Sequence, residues 1–143
     1  ENYVVIYPNN DTGSDCILAE YQRLSGNPRF RIFPSMRFEC FLVVLKNAEF
    51  IIGNSSAGIR EAPHYGTPTI NLGTRQKRRA TAKSIIDIPI ERADIKRAID
   101  VVRNTRFDPE HIFGTGDSAQ RFHETLHTQK FWNVHLQKYF VDQ

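Results

Sequence analysis

Short apolar, β-branched runs alternate along this chain with longer stretches of helical period, and few architectures accommodate that alternation. Residues 3–7 (YVVIY) read as a buried strand, stopped by Pro8 and the polar Asn9, Asn10 and Asp11. Ser14 or Asp15 can cap a helix through Ser25, with Ile17, Leu18, Tyr21 and Leu24 on one face. Gly26, Asn27 and Pro28 form a turn before a strand over 30–33, and a helix runs from near Pro34–Ser35 to Asn47. Strands are predicted over 50–53, 67–72 and 85–88; a helix ending near Gly66 follows the first of these, and one over 91–104 follows the last. Residues 117–140 read as helical with a break near Thr128. The alternation implies an α/β domain, a doubly wound parallel sheet with helices on both faces.

That architecture predicts where a ligand binds before any motif is considered. Ligands of open α/β sheets sit at the carboxyl ends of strands, where helices begin. The polar loops 8–14, 54–58 and 73–79 all occupy such positions and are expected to line one edge of the sheet.

Composition narrows the function classes. The chain has 143 residues, 40% hydrophobic and 24% charged, the balance of one ordinary globular domain over 1–143. No run approaches the ~18 apolar residues of a membrane helix, and residues 1–10 carry no signal-peptide pattern, so no membrane partner is expected. Cys16 and Cys40 form neither a disulfide framework nor a metal site by spacing, which points to a reducing, cytoplasmic setting. The one methionine is Met36 rather than an initiator, so the chain is expected to be a piece of a longer protein. Net charge is +3, and Arg75, Lys77, Arg78, Arg79 and Lys83 crowd one stretch without an acid between them. This is either a solvated basic loop or a surface for an anion. Aromatic residues do not interleave with it, so no nucleic acid is expected.

The stretch from Gly53 through Asn54, Ser55, Ser56, Ala57 and Gly58 to Glu61 is the most informative. Small residues let backbone approach a ligand, a following helix presents unpaired N–H groups, and Ser55 and Ser56 add hydroxyl donors. Such a cradle suits a phosphate; a serine N-cap on a buried helix would need no ligand. The Gly-Lys-Ser/Thr ending of a Walker loop is missing, as is a GxGxxG fingerprint. Glu61, expected in the first turn of that helix, either favours the helix dipole or accepts hydrogen bonds from ribose hydroxyls. Arg75, just past the next strand, can clamp a diphosphate with its planar fork. His64, His111, His123, His127 and His135 are not at metal spacing with a third ligand, and His123 with His127 reads as a surface helix face.

These same residues carry a resemblance. The segment FIIGNSSAGIREAPHYGTPTINLGTRQKRR (50–79) resembles the C-terminal half of the UDP-N-acetylglucosamine 2-epimerases, especially the hydrolysing branch. YPNNDTGSD (7–15), FRIFP (30–34) and FGTGDSAQRF (113–122) fall where that family has related segments. The resemblance implies the C-terminal half of a two-domain fold of the glycosyltransferase-B kind, with two Rossmann-like domains and the sugar nucleotide in their cleft. It implies conversion of UDP-N-acetylglucosamine and water into N-acetylmannosamine and UDP, which opens sialic acid synthesis, through elimination to a glycal and with no metal or redox cofactor. Ser55 and Ser56 would hold the diphosphate, with Gly58 also part of the UDP site, Glu61 the ribose hydroxyls, and Arg75 would lie beside the nucleotide. Asn9 matches a nucleotide contact, and Phe33 lies where the chain brackets the uracil. The glycine-rich GDG turn of many relatives is Gly114-Thr115-Gly116 here. The family's catalytic carboxylates and hinge histidine lie N-terminal to this segment, so no catalytic residue is expected in the chain. UDP, UDP-N-acetylglucosamine and that N-terminal domain are the implied partners, with a homo-oligomer of the longer protein left open. Two alternatives stand beside this reading: a glycosyltransferase of the same architecture, or a non-catalytic module gripping an anion through 75–83.

The tail, 117–143, carries Phe122, Phe131, Trp132, Tyr139 and Phe140. Each such ring can cover ~150–250 Å², more than one short helix buries against a sheet. The resemblance implies a last helix that crosses to the N-terminal domain, and exposed aromatic surface around Trp132 and Tyr139 is therefore expected.

Overall fold

The computed structural model describes residues 2–134 and 137, and divides into two compact units, 1–48 and 49–143. In the first unit, β1 (Tyr3–Ile6) pairs in parallel with β2 (Phe30–Phe33), Tyr3 opposite Phe30 and Ile6 opposite Phe33. The β-branched and aromatic residues of these runs suit a pleated surface, and the rings of Tyr3 and Phe30 stack at 5.0 Å. Between the strands lies α1 (Ser14–Gln22), which differs from expectation at both ends. Gly13, left-handed at φ 89°, is the N-cap, and neither Ser14 nor Asp15 caps the helix. At the other end, Leu24 and Ser25 bond to carbonyls three residues back, so the last turn tightens and the helix stops at Gln22. The next helix, α2 (Phe38–Asn47), begins later than Pro34 or Ser35. The apolar stripe of Phe38, Phe41, Leu42 and Leu45 starts only there.

The second unit holds a three-stranded parallel sheet in the order β3 (Ile51–Gly53), β4 (Thr69–Leu72), β5 (Ile85–Ile88). Expectation put all strands in one sheet; they form two hydrogen-bonded sets, each within its own unit. β4 starts at Thr69 rather than Thr67 because Pro68 has no N–H to pair, although its carbonyl still accepts from Ile51 N at 2.9 Å. One face of this sheet carries the core. Ile70 packs with Ala98 and Val102 of α4 (Arg92–Val102), joined by Leu72, Ile86 and Ile88. The opposite face meets α3 (Ala57–Arg60), a single turn continued by a 3₁₀ turn over Pro63–Tyr65. The expected longer helix to Gly66 is thus broken, since Pro63 cannot donate to an α-helical ladder and begins the tighter turn.

The segment after α4 straps this turn down. Phe107 N donates to Gly66 O at 3.1 Å, Glu110 N to Pro63 O at 2.9 Å, and Arg106 Nη1 to Thr67 Oγ1 at 3.2 Å. Beyond it lie α5 (Ser118–Leu126) and α6 (Gln129–Trp132), divided at Thr128. Phe122 and Trp132 are about three-fifths exposed. His135, Tyr139 and Phe140 lie outside the described residues.

Gly66 is the tightest point of the strap. Its φ is +63°, and a Cβ there would stand 1.9 Å from the carbonyl oxygen of Phe107. Gly66→Ala is expected to cost more than about 3 kcal/mol in urea unfolding. Gly114→Ala, at φ +109° with no atom within 4 Å, is expected to cost only about 1–2 kcal/mol.

Candidate functional site

Parallel strands place their following loops on one edge, and β3 and β4 are neighbours. Loops 54–56 and 73–79 therefore leave the same edge of the second sheet. Asn9 and Phe33 follow or end β1 and β2 at the carboxyl edge of the first sheet. Both are exposed, and Tyr7 N donates to Phe33 O at 3.0 Å.

The chain leaves β3 through Gly53, at φ +148°, and turns at once into α3. The Ser55 and Ser56 side chains are on the exposed surface of that turn. Ser55 Oγ accepts from Ala57 N at 3.3 Å, while Ser56, the N-cap by position, makes no side-chain cap bond. Gly58 is buried, and it faces the sheet. A Cβ on it would lie 2.6 Å from Thr69 Cγ2, and Thr69 Oγ1 donates to Gly58 O at 2.7 Å. A small hollow alongside β3 is lined by Ile51, Ile52, Gly53, Ser55, Gly58 and Thr69.

Glu61 is at the C-cap of α3, not in its first turn, because the helix is one turn long. Its acid therefore cannot serve the N-terminal end of the helix dipole. The side chain is half-buried, and Oε2 is buried with no hydrogen-bond partner among the described residues. A buried oxygen left unpaired keeps its full desolvation cost, so a donor brought by a ligand would be favoured there.

Arg75 is exposed and follows β4 by way of Gly73, whose φ of +74° turns the chain. Beside it, Gln76 is only 3% exposed, in the middle of the basic stretch. Its Nε2 donates to Asn54 O at 3.1 Å, and its Oε1 accepts from Arg79 Nη1 at 3.1 Å. Gln76 thus ties the arginine loop to the serine loop. Sequence reasoning passed over it, although a lone amide inside a run of cations is itself a signal. Two further pairs are joined only by the fold. Asn71 Nδ2 donates to Asp87 Oδ1 at 2.6 Å across β4 and β5, and Asn71 Oδ1 is buried with no hydrogen-bond partner among the described residues. His64 and His111 bring their Nδ1 atoms to 2.9 Å, so one ring donates and the other accepts. Among the described residues no three His, Cys, Asp or Glu side chains gather as metal ligands would, and no helix is long and apolar enough to cross a membrane.

The sequence profile of the family described as UDP-N-acetylglucosamine 2-epimerase matches residues 1–127. The chain belongs to the UDP-N-acetylglucosamine 2-epimerase family. It is 47% identical over 146 residues to the UDP-N-acetylglucosamine 2-epimerase of Neisseria meningitidis serogroup B, covering 99% of this chain and 38% of that protein. It is 27% identical over 126 residues to a UDP-N,N'-diacetylbacillosamine 2-epimerase (hydrolyzing) of Legionella pneumophila, covering 87% of this chain and 33% of that one. The solved UDP-GlcNAc 2-epimerase of Methanocaldococcus jannaschii matches with a TM-score of 0.68 at 20% identity, over 88% of this chain and 36% of that chain. This likeness shows a shared α/β, Rossmann-like fold. The chain of this family member spans 38% or less of the length of each of these proteins.

The contact between Gly58 and Thr69 holds the serine loop on the sheet. Thr69→Val keeps the branched shape and removes the hydroxyl that serves the Gly58 carbonyl. A loss of about 1–2 kcal/mol is expected, read as a lower denaturation midpoint at unchanged slope.

Proposed function

We propose that this chain is the nucleotide-binding, C-terminal half of a hydrolysing UDP-N-acetylglucosamine 2-epimerase, which converts UDP-N-acetylglucosamine and water into N-acetylmannosamine and UDP. The observation that carries the reading is the unpaired, buried Oε2 of Glu61, close in sequence to two exposed serines at a strand's carboxyl end. A ribose supplies two hydroxyl donors and so matches a carboxylate that lacks one. In this reading Ser55 and Ser56 hold phosphate oxygens, with Gly58 keeping their loop on the sheet. Arg75 offsets the charge of the diphosphate with paired N–H groups. We assign nucleotide contacts to Asn9 and Phe33 as well, on the family resemblance alone. The family match supports this reading over a glycosyltransferase of the same architecture.

General acid–base chemistry at the sugar needs a positioned proton acceptor, and none of the residues assigned here has that role. We assign those groups to the part of the longer relatives that this chain does not span. The division of labour follows: this half holds the nucleotide, and the sugar ring meets the rest.

Two measurements test the reading. In isothermal titration the chain is expected to bind UDP more tightly than UMP or uridine, and equal affinities would argue against a diphosphate cradle. Arg75→Ala is expected to weaken UDP binding more than Arg78→Ala or Arg79→Ala; the reverse order would favour a diffuse basic surface. Separately, the purified chain is expected to release no UDP from UDP-N-acetylglucosamine above the buffer rate. Turnover by this chain alone would place catalytic groups within it.

A further inference from the structure

The nucleotide site has its two halves on separate loops, and one buried side chain spans them. Gln76 is 3% exposed, although it sits between Arg75 and Lys77 in the most cationic stretch of the chain. Its two ends cannot exchange roles. A backbone carbonyl only accepts and a guanidinium only donates, so the amide N–H must face Asn54 O and the amide oxygen must face Arg79. Asn54 immediately precedes Ser55, and Arg75 immediately precedes Gln76. One rigid amide therefore fixes the span between the serine hydroxyls and the Arg75 backbone. Its acceptor end also takes a hydrogen bond from the Arg79 guanidinium.

We propose that Gln76 is a positioning residue that sets the separation of the serine and arginine loops and thereby makes the site select a diphosphate over a monophosphate. This rests on the nucleotide-binding reading above. A monophosphate can be satisfied by donors from one loop, whereas two linked phosphates need donors on both sides at a fixed span. A gap that varies weakens only the longer ligand, since pre-organised donors lose less freedom on binding. Gln76 touches no ligand in this account. It acts through Asn54, and through the short path to Arg75.

The test uses the full chain and Gln76→Met, which keeps the volume and removes both polar ends. Hydrogen exchange without ligand reads the strut itself, and exchange at the amides of 55–57 is expected to quicken. Titration reads the consequence: UDP affinity is expected to fall about tenfold, with uridine within about twofold, so that the preference for UDP over UMP collapses. Gln76→Glu keeps an oxygen for Arg79 but offers no N–H to Asn54; it is expected to act in the same direction and serves if the methionine variant does not fold. Unchanged exchange in a folded variant overturns the strut whatever the ligand does. Quickened exchange with an intact UDP-over-UMP preference, or with equal losses for UDP, UMP and uridine, overturns the positioning role. A wild-type chain with no preference for UDP overturns the nucleotide reading, and the selectivity claim with it, while the exchange result still decides the strut.

Discussion

Gly58 lies so close to β4 that one methyl group there would stand 2.6 Å from Cγ2 of Thr69. Everything on this side of the second sheet depends on that approach. With α3 pressed on the strand, Ile59 and Ala62 are buried, and Ser55 and Ser56 are left on the outer rim. A four-residue helix has almost no dipole of its own and one turn of hydrogen bonds, so packing holds it where propensity would not. The hydroxyl of Thr69 completes the arrangement by serving the Gly58 carbonyl.

The two faces of that sheet do different work. The α4 face is apolar, built on Ile70, Ala98 and Val102, and its burial stabilises the unit. The α3 face is polar for its depth. Thr69 and Asn71 are buried there, Asn71 spends its amide N–H on Asp87, and the oxygens Asn71 Oδ1 and Glu61 Oε2 are buried without hydrogen-bond partners among the described residues. Unpaired buried oxygens oppose folding, and a chain can tolerate them where a separate apolar layer provides the stability.

The strap after α4 bears on the same region from outside. Its bonds to Pro63, Gly66 and Thr67 hold the 3₁₀ turn that follows Glu61, and Lys83 N closes on Glu110 Oε1 at 2.7 Å. The contact of His64 with His111 and the placement of Arg60 over the ring of Phe113, 5.4 Å from its centroid, extend that grip. The segment carrying Glu61 is thus held at its start by β4 and at its end by residues more than forty positions later in the chain.

Strand runs such as YVVI and FRIF, the amphipathic stripes of α2 and α4, and the small-residue stretch after β3 were all legible in the sequence, because their signals are local periodicities. From these follow the α/β class, the parallel pairing, and the sheet edge at which Ser55, Ser56 and Arg75 emerge. Helix limits were less legible: α1 closes on Gly13 and a tightened last turn, and α3 is cut short by Pro63, so Glu61 ends a helix instead of opening one. The tertiary structure alone decided which polar groups meet. Gln76 reaches Asn54 across 22 positions, Asn71 meets Asp87 across 16, and His64 meets His111 across 47. Such pairings depend on where crossovers return the chain and on which side chains remain buried once they do. Periodicity within one element carries no record of either, since it reports only which face of that element is turned from water.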